Sequence, residues 1–214
     1  MAEERPVLPV ADPAPLGLAA FGLTTFLLSA HNAFGDSVPL LAFFGYAAFY
    51  GGLGQFLAGM WEFRNRNTFG ATAFSTYGAF WMGLATFVAL FLFGKVEAKD
   101  LTPALGWILL SFAIFNTYMM LWSTRINVAV FAVFLTLEVT EILLFIGNFA
   151  GSAAGTGLVL VGGWVGILTA LTAFYASAAG VINGMSPSPV LPVGRPLWAA
   201  APPAGAVSMP RAEA

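Results

Sequence analysis

Long apolar stretches separated by short polar or glycine-rich intervals dominate the pattern of this sequence. Six of them stand out: Leu16–Ala33, Leu40–Trp61, Phe69–Phe93, Leu105–Trp122, Asn127–Gly147 and Leu158–Ile182. About 20 mainly apolar residues are enough for a helix to cross the hydrocarbon core of a bilayer, so the pattern predicts six membrane-spanning helices. The intervals are Gly35-Asp36-Ser37, Glu62 to Asn67, Gly94 to Pro103, Ser123-Thr124-Arg125 and the uncharged Asn148–Gly157. They hold most of the charge of this region, as loops in water should. The fold class is therefore all-α: a polytopic membrane bundle of six helices spanning residues 12–184. Residues 1–11 form an N-terminal tail, and residues 185–214, rich in proline, form a C-terminal tail expected to be extended or disordered. No internal repeat is evident.

Composition supports this reading. The chain has 214 residues, of which 59% are hydrophobic and 8% charged, where an ordinary soluble domain carries roughly 25% charged residues. So little charge cannot cover a water-facing surface, and the missing solvent is lipid. Phe, at 21 residues, and Trp, at 6, suit lipid-facing surfaces and interfacial belts. There is no cysteine, which removes disulfides, thiolate metal sites and thiol nucleophiles. The net charge of −2 gives no sign of a nucleic-acid partner. The acidic, proline-rich start, MAEERPVLPVADPAP, has no apolar run leading to a cleavage site and is not expected to be a cleaved signal peptide.

Basic residues indicate the orientation. With the N-terminus cytoplasmic, Arg5, Arg64, Arg66, Arg125, Arg195 and Arg211 all lie inside, and only Lys95 and Lys99 lie outside. Positive charge favours the cytoplasmic side, so both termini are expected there.

Finer periodicity assigns faces. Phe21, Thr25, Leu28 and Asn32 fall on one side of the first helix; Ala48, Gly52, Gln55, Gly59 and Glu62 form a small and polar stripe on the second. Such stripes turn away from lipid, because an unpartnered polar group in hydrocarbon is costly. For Ala48, Gly52 and Gly59, close helix packing explains the pattern. Gln55, near mid-membrane, fits either packing or the lining of a pathway. Gly147, Gly151 and Gly155 repeat the small-residue spacing at a helix end, which favours a packing or oligomer contact.

Catalytic constellations are nearly absent. The single His31 lies near one end of the first helix, beside Asn32, with no metal-binding, nucleophile-elbow or phosphate-loop motif around it. It reads as a satisfied interfacial side chain. No enzyme activity, cofactor or metal is expected. The unusual residues are Glu138 and Glu141, in the middle of the fifth helix. At about 1.5 Å per residue from Asn127, Glu138 lies roughly 17 Å deep. An ionised carboxylate facing lipid at that depth costs several kcal/mol, so each must be protonated, paired or wet. Two readings stand: neutral acids bonding neighbouring helices, or proton-binding groups beside a solute path.

Several motifs then converge. Asp12-Pro13-Ala14-Pro15-Leu16-Gly17-Leu18, followed by Phe21-Gly22, resembles the N-P-A-P-L-G-L signature of the acetate uptake transporter family, which includes succinate–acetate/proton symporters. The second helix (Phe49-Tyr50-Gly51-Gly52, Gln55, Ala58-Gly59, Trp61-Glu62), the run Asn67 to Phe74, the run Tyr77-Gly78-Ala79-Phe80-Trp81 and Ile146-Gly147-Asn148 resemble the same family, in order and with matching spacing, from about residue 12 to 183. The resemblance implies a six-helix protomer in the cell (plasma or inner) membrane, assembled as a homo-hexamer, with a solute path through each protomer. Its hydrophobic constriction maps to Phe21, Tyr77 and Leu137, the last by counting back from Ile146-Gly147-Asn148. Thr25, Gln55, Trp81 and Asn148 map to the lining. The implied cargo is acetate or another small carboxylate such as succinate, moved with protons or as an anion through a channel. The alternatives are a channel for neutral small solutes and a membrane sensor without flux.

Two departures matter. Asp12 replaces the signature Asn; it can still cap the first helix, but it brings a negative charge to the mouth. Glu138 and Glu141 occupy positions where apolar or hydroxyl-bearing residues are expected. If Leu137 faces the path, Glu141 at i+4 lies on the same face one turn outward, where it can hold a proton above the constriction.

Overall fold

The computed structural model describes residues 10–198. Six helices long and apolar enough to cross a membrane make up this part of the chain. We name them α1 (Ala14–Phe34), continued by a tight turn at Gly35–Ser37, α2 (Leu41–Arg64), α3 (Thr68–Leu92), α4 (Ala98–Ser123), α5 (Val128–Phe149) and α6 (Gly157–Met185). Each of the six stretches matches one helix to within about three residues at either end, except that α4 begins at Ala98, well before Leu105.

Local chemistry sets the ends. Asn67 and Asn127 cap α3 and α5, their side-chain oxygens accepting the Gly70 and Val130 amides at 3.1 and 2.8 Å. Proline begins α1, where a missing amide proton costs nothing. Asp12 does assist that end: its Oδ1 accepts the Ala14 amide at 2.9 Å.

One irregularity escapes the periodicity. Between Phe49 and Gly54, α2 widens into a π turn. Such turns insert one extra residue into a helix and often mark functional positions. Glycine permits this one: a Cβ on Gly51 would collide with the Thr24 side chain of α1, and one on Gly52 would press on Met82 of α3. The buried face of α2 therefore passes from Phe43 and Ala47 to Gly51 and Gly52, and then to Gln55, Gly59 and Glu62. Ala48, placed on that stripe by α-helical counting, is only half-buried.

α6 is the backbone of the bundle, packing along α1 on one side and α5 on the other. Small residues bring it close. A Cβ at Gly163 would strike the Ala33 backbone, and one at Gly166 the Ser29 side chain. Ser177 donates to the Pro15 carbonyl at 2.7 Å, fixing the start of α1. Gly147 fits against Val159 of α6, and Gly155, at φ 76°, against Gly35; both serve contacts within the chain. α4 packs on α5 and only slightly on α3, leaving a groove between α3 and α4 lined by Ser75, Ala79 and Gly83.

The stretch after α6 is extended, as its prolines suggest, but residues 186–198 are anchored. The Asn183 side chain accepts the Val190 and Leu191 amides at 2.7 and 3.0 Å. The Ala129 amide donates to the Val193 carbonyl at 2.9 Å, and Trp198 stacks on Trp122 with centroids 6.1 Å apart. The rest of the expected C-terminal tail, and residues 1–9, lie outside the described residues.

Candidate functional site

Three cavities follow one another between the helices. The widest, of about 240 Å³, opens at the end of the bundle where α1 finishes, and includes His31, Asn32, Leu105, Leu144 and Asn148 in its lining. Leu28, Asn32, Phe80, Leu109 and Leu144 also line a second cavity of about 40 Å³. A third, of about 20 Å³, lies nearer the face where α1 begins and is lined by Leu18, Gln55, Phe74 and Phe134, among others. The second and third share three lining residues: Phe21, Tyr77 and Leu137. These are the residues that the sequence assigned to the constriction.

The three side chains pack tightly. Phe21, Tyr77 and Leu137 are 5%, 3% and 6% exposed, and belong to one apolar cluster with Val133, Phe134 and Ala173. Phe21 meets Tyr77 edge to face, with centroids 5.8 Å apart. Phe80, Phe112 and Phe115 surround the other sides of the tyrosine at 5.6 to 6.3 Å. A cavity must offer roughly 10–15 Å³ to hold one water molecule, so the space of about 20 Å³ on one side of the ring has room for about one. The cavities on the two sides of these three side chains are separate.

The remaining candidates distribute along the same line. Thr25, Trp81 and Glu141 line the second cavity, the middle one, Gln55 the third, and Asn148 the widest. Thr25 Oγ1, Trp81 Nε1 and Glu141 Oε2 are buried without a protein partner, as is Gln55 Oε1. A buried polar atom without a partner costs about 1–3 kcal/mol. Three of them around one small cavity give it a hydroxyl, an indole N–H and a carboxyl oxygen to offer a ligand.

Glu138 stands elsewhere. It lines none of these cavities and turns to α4, where Asn116 Nδ2 donates to its Oε2 at 2.7 Å and the Thr117 hydroxyl to its Oε1 at 2.8 Å. Asn116 also donates to the Phe134 carbonyl at 2.9 Å. Its own Oδ1 lies 3.0 Å from the Tyr77 hydroxyl, which lies 3.3 Å from Glu141 Oε1. The two acids three residues apart are thus joined through Asn116 and Tyr77. Asn116, fully buried, was absent from the sequence-based candidates. Its signal is the stripe Gly106, Ala113, Asn116, Ser123 on the buried side of α4, the same kind of pattern that marked α2. His31 is satisfied by the Val38 carbonyl, 2.7 Å from its Nδ1. No three His, Asp or Glu side chains cluster as metal ligands among the described residues.

Comparison with known proteins follows from this geometry. The profile of the GPR1/FUN34/yaaH family matches residues 2–194. The succinate-acetate/proton symporter SatP of Escherichia coli is 39% identical over 189 residues, which cover 86% of this chain and 96% of SatP. The ammonia transport outward protein 2 of Saccharomyces cerevisiae is 41% identical over 185 residues, covering 82% of this chain; the chain spans only 63% of that relative's length. Among solved structures, the bacterial acetate channel SatP superposes with a TM-score of 0.80 at 36% identity, covering 86% of this chain and 99% of that one.

Proposed function

The chain belongs to the GPR1/FUN34/yaaH family, and on that premise we propose that it carries acetate and related small carboxylates across a cell membrane. The observation that carries the proposal is the series of three cavities meeting at Phe21, Tyr77 and Leu137. An apolar ring of this kind selects by size and by dewetting. On its outer side the Thr25 hydroxyl and the Trp81 N–H are free to donate to a carboxylate, and Gln55 receives the cargo beyond the ring. The Tyr77 hydroxyl is engaged by Asn116 and Glu141, so binding falls to Thr25 and Trp81.

Energetics favour a coupled proton. Small carboxylic acids are almost wholly ionised at neutral pH. Moving one negative charge inward against an inside-negative potential costs about 2.3 kcal/mol per 100 mV, and one accompanying proton removes that cost. Glu141, with an unpartnered oxygen at the middle cavity, is the residue suited to hold it. The cytoplasmic placement of both termini rests on the arginine distribution. Assembly as a homo-hexamer rests on the family resemblance, and the groove between α3 and α4 is where a neighbouring protomer would pack.

The test is entry of labelled acetate into vesicles reconstituted with the protein. Uptake should exceed that of protein-free vesicles and fall to their level when Leu137→Trp fills the ring. Equal uptake in all three preparations would overturn the proposal. The name of the yeast relative favours a second reading, passage of a neutral solute such as ammonia; it predicts protein-dependent flux of neutral methylamine that acetate does not compete with.

A further inference from the structure

The hydroxyl of Tyr77 has one proton and two acceptors in reach. Asn116 Oδ1 is at 3.0 Å and Glu141 Oε1 at 3.3 Å. Each choice requires a different state of Glu141. If Tyr77 donates to Asn116, Glu141 Oε1 has no donor facing it and is satisfied only by carrying a proton itself, which it then donates to the tyrosine oxygen. If Glu141 gives that proton away, its carboxylate needs a donor, and the Tyr77 O–H is the one within reach. A buried acceptor left unpaired is costly, so the two events are linked.

Glu138 fixes the resting side of the arrangement. Its Oε2 receives the Asn116 amide at 2.7 Å, and its Oε1 shares the Thr117 hydroxyl with the Ala113 carbonyl. The first bond, with the one to the Phe134 carbonyl, uses both protons of the Asn116 amide group. The orientation of Asn116 is thereby set, and its carbonyl oxygen is aimed at Tyr77.

We propose, building on the transport reading, that the Tyr77 hydroxyl is a two-position switch: it rests on Asn116 while Glu141 is protonated and turns to Glu141 when cargo takes that proton. The step balances. The Glu141 carboxyl turns by half a revolution, so that its protonated oxygen leaves Tyr77 and faces the cavity; a carboxylate there accepts the proton, the O–H bond on the cargo forms as that on Glu141 breaks, and the cargo becomes a neutral acid. The negative charge remains on Glu141 and is met by the Tyr77 O–H. Since Tyr77 belongs to the apolar ring, a neutral acid stands before the ring at the moment the tyrosine lets go of Asn116. Glu141 is then the proton carrier, Glu138 an anchor, and Asn116 a positioning residue. The titratable groups around Glu141 are Tyr77 of α3 and Glu138 of its own helix. α1 brings Thr25, Ser29 and Asn32 to the cavity, α3 adds Trp81, and α4 adds Leu109, with Asn116 behind Tyr77.

Infrared difference spectroscopy of the full-length protein in lipid, titrated across pH, reads this directly, alongside acetate flux expressed per ionised acetate. Wild type should show a protonated-carboxyl band that disappears with rising pH together with a change in the tyrosine ring band. Glu141→Gln should abolish both changes and flatten the pH profile of flux, whereas Glu138→Gln should retain the carboxyl band. Asn116→Leu removes the competing acceptor and frees the Tyr77 O–H for the Glu141 carboxylate, so the band should disappear at lower pH. Tyr77→Phe gives a second check: the carboxyl band should stay while the coupled ring change is lost. A band that survives Glu141→Gln, or an Asn116→Leu profile that does not move toward acid, would overturn the switch. Absence of flux in wild type with the spectroscopic pattern intact would instead count against the transport reading alone.

Discussion

Leu137 is the smallest and most compliant member of the ring, and truncating it should change the selection without dismantling the site. Leu137→Ala is expected to leave acetate carriage in place and extend it to bulkier acids such as lactate and succinate, checked by competition against labelled acetate; an unaltered preference would count against a constriction at this residue. Trp81→Phe keeps the aromatic bulk but removes the indole donor. A hydrogen bond to a charged partner is worth about 1.5–3 kcal/mol, so apparent affinity for acetate should fall by at least about tenfold. At this scale much of the site was legible. Phe21 and Tyr77 sit inside motifs, Thr25 and Asn32 share their face of α1, and Glu138 and Glu141 announce themselves by their charge. What was not legible was the difference between the two acids. That depends on Asn116 and Thr117, 22 and 21 residues away in sequence, and no local pattern pairs them.

The helices themselves were readable because lipid demands long apolar runs and tolerates charge only at their ends. Their ends also obey local rules: removing the cap with Asn127→Ala should destabilise α5 by about 1 kcal/mol, visible as a lower unfolding temperature in detergent. The π turn in α2 was hidden, because Gly52 fits an α-helical stripe from Ala48 to Glu62 and nothing in the local pattern marks the extra residue; the contacts with Thr24 and Met82 come from other helices. The crossing of α2 and α3 is tighter still. A Cβ on Gly78 would lie 2.5 Å from the Phe56 backbone nitrogen and 2.8 Å from the Gly52 oxygen, where nothing flexible can yield. Gly78→Ala should therefore cost at least the 1–3 kcal/mol typical of overpacking, again measured by thermal unfolding. The anchoring of residues 186–198 was invisible for a different reason: prolines prescribe an extended backbone, but not that Asn183 and Trp122 will hold it.

Taken whole, the molecule is a bundle whose small-residue seams pull α1, α5 and α6 together and leave a discontinuous passage beside them. Its cavities are unequal, about 240, 40 and 20 Å³ in order along the bundle. Charge distribution and hydropathy foretold the spans; the passage could be inferred only by resemblance, since lining residues and core residues look alike in a sequence. That a carboxylate crosses with a proton is the proposal on which the rest stands. Labelled acetate in proteoliposomes, with pH and voltage imposed separately and protein-free vesicles subtracted, tests it most directly. An acid-outside pH gradient should drive acetate above its external concentration with the membrane potential clamped at zero, and a potential alone should drive none. No protein-dependent acetate movement under either force would contradict the account.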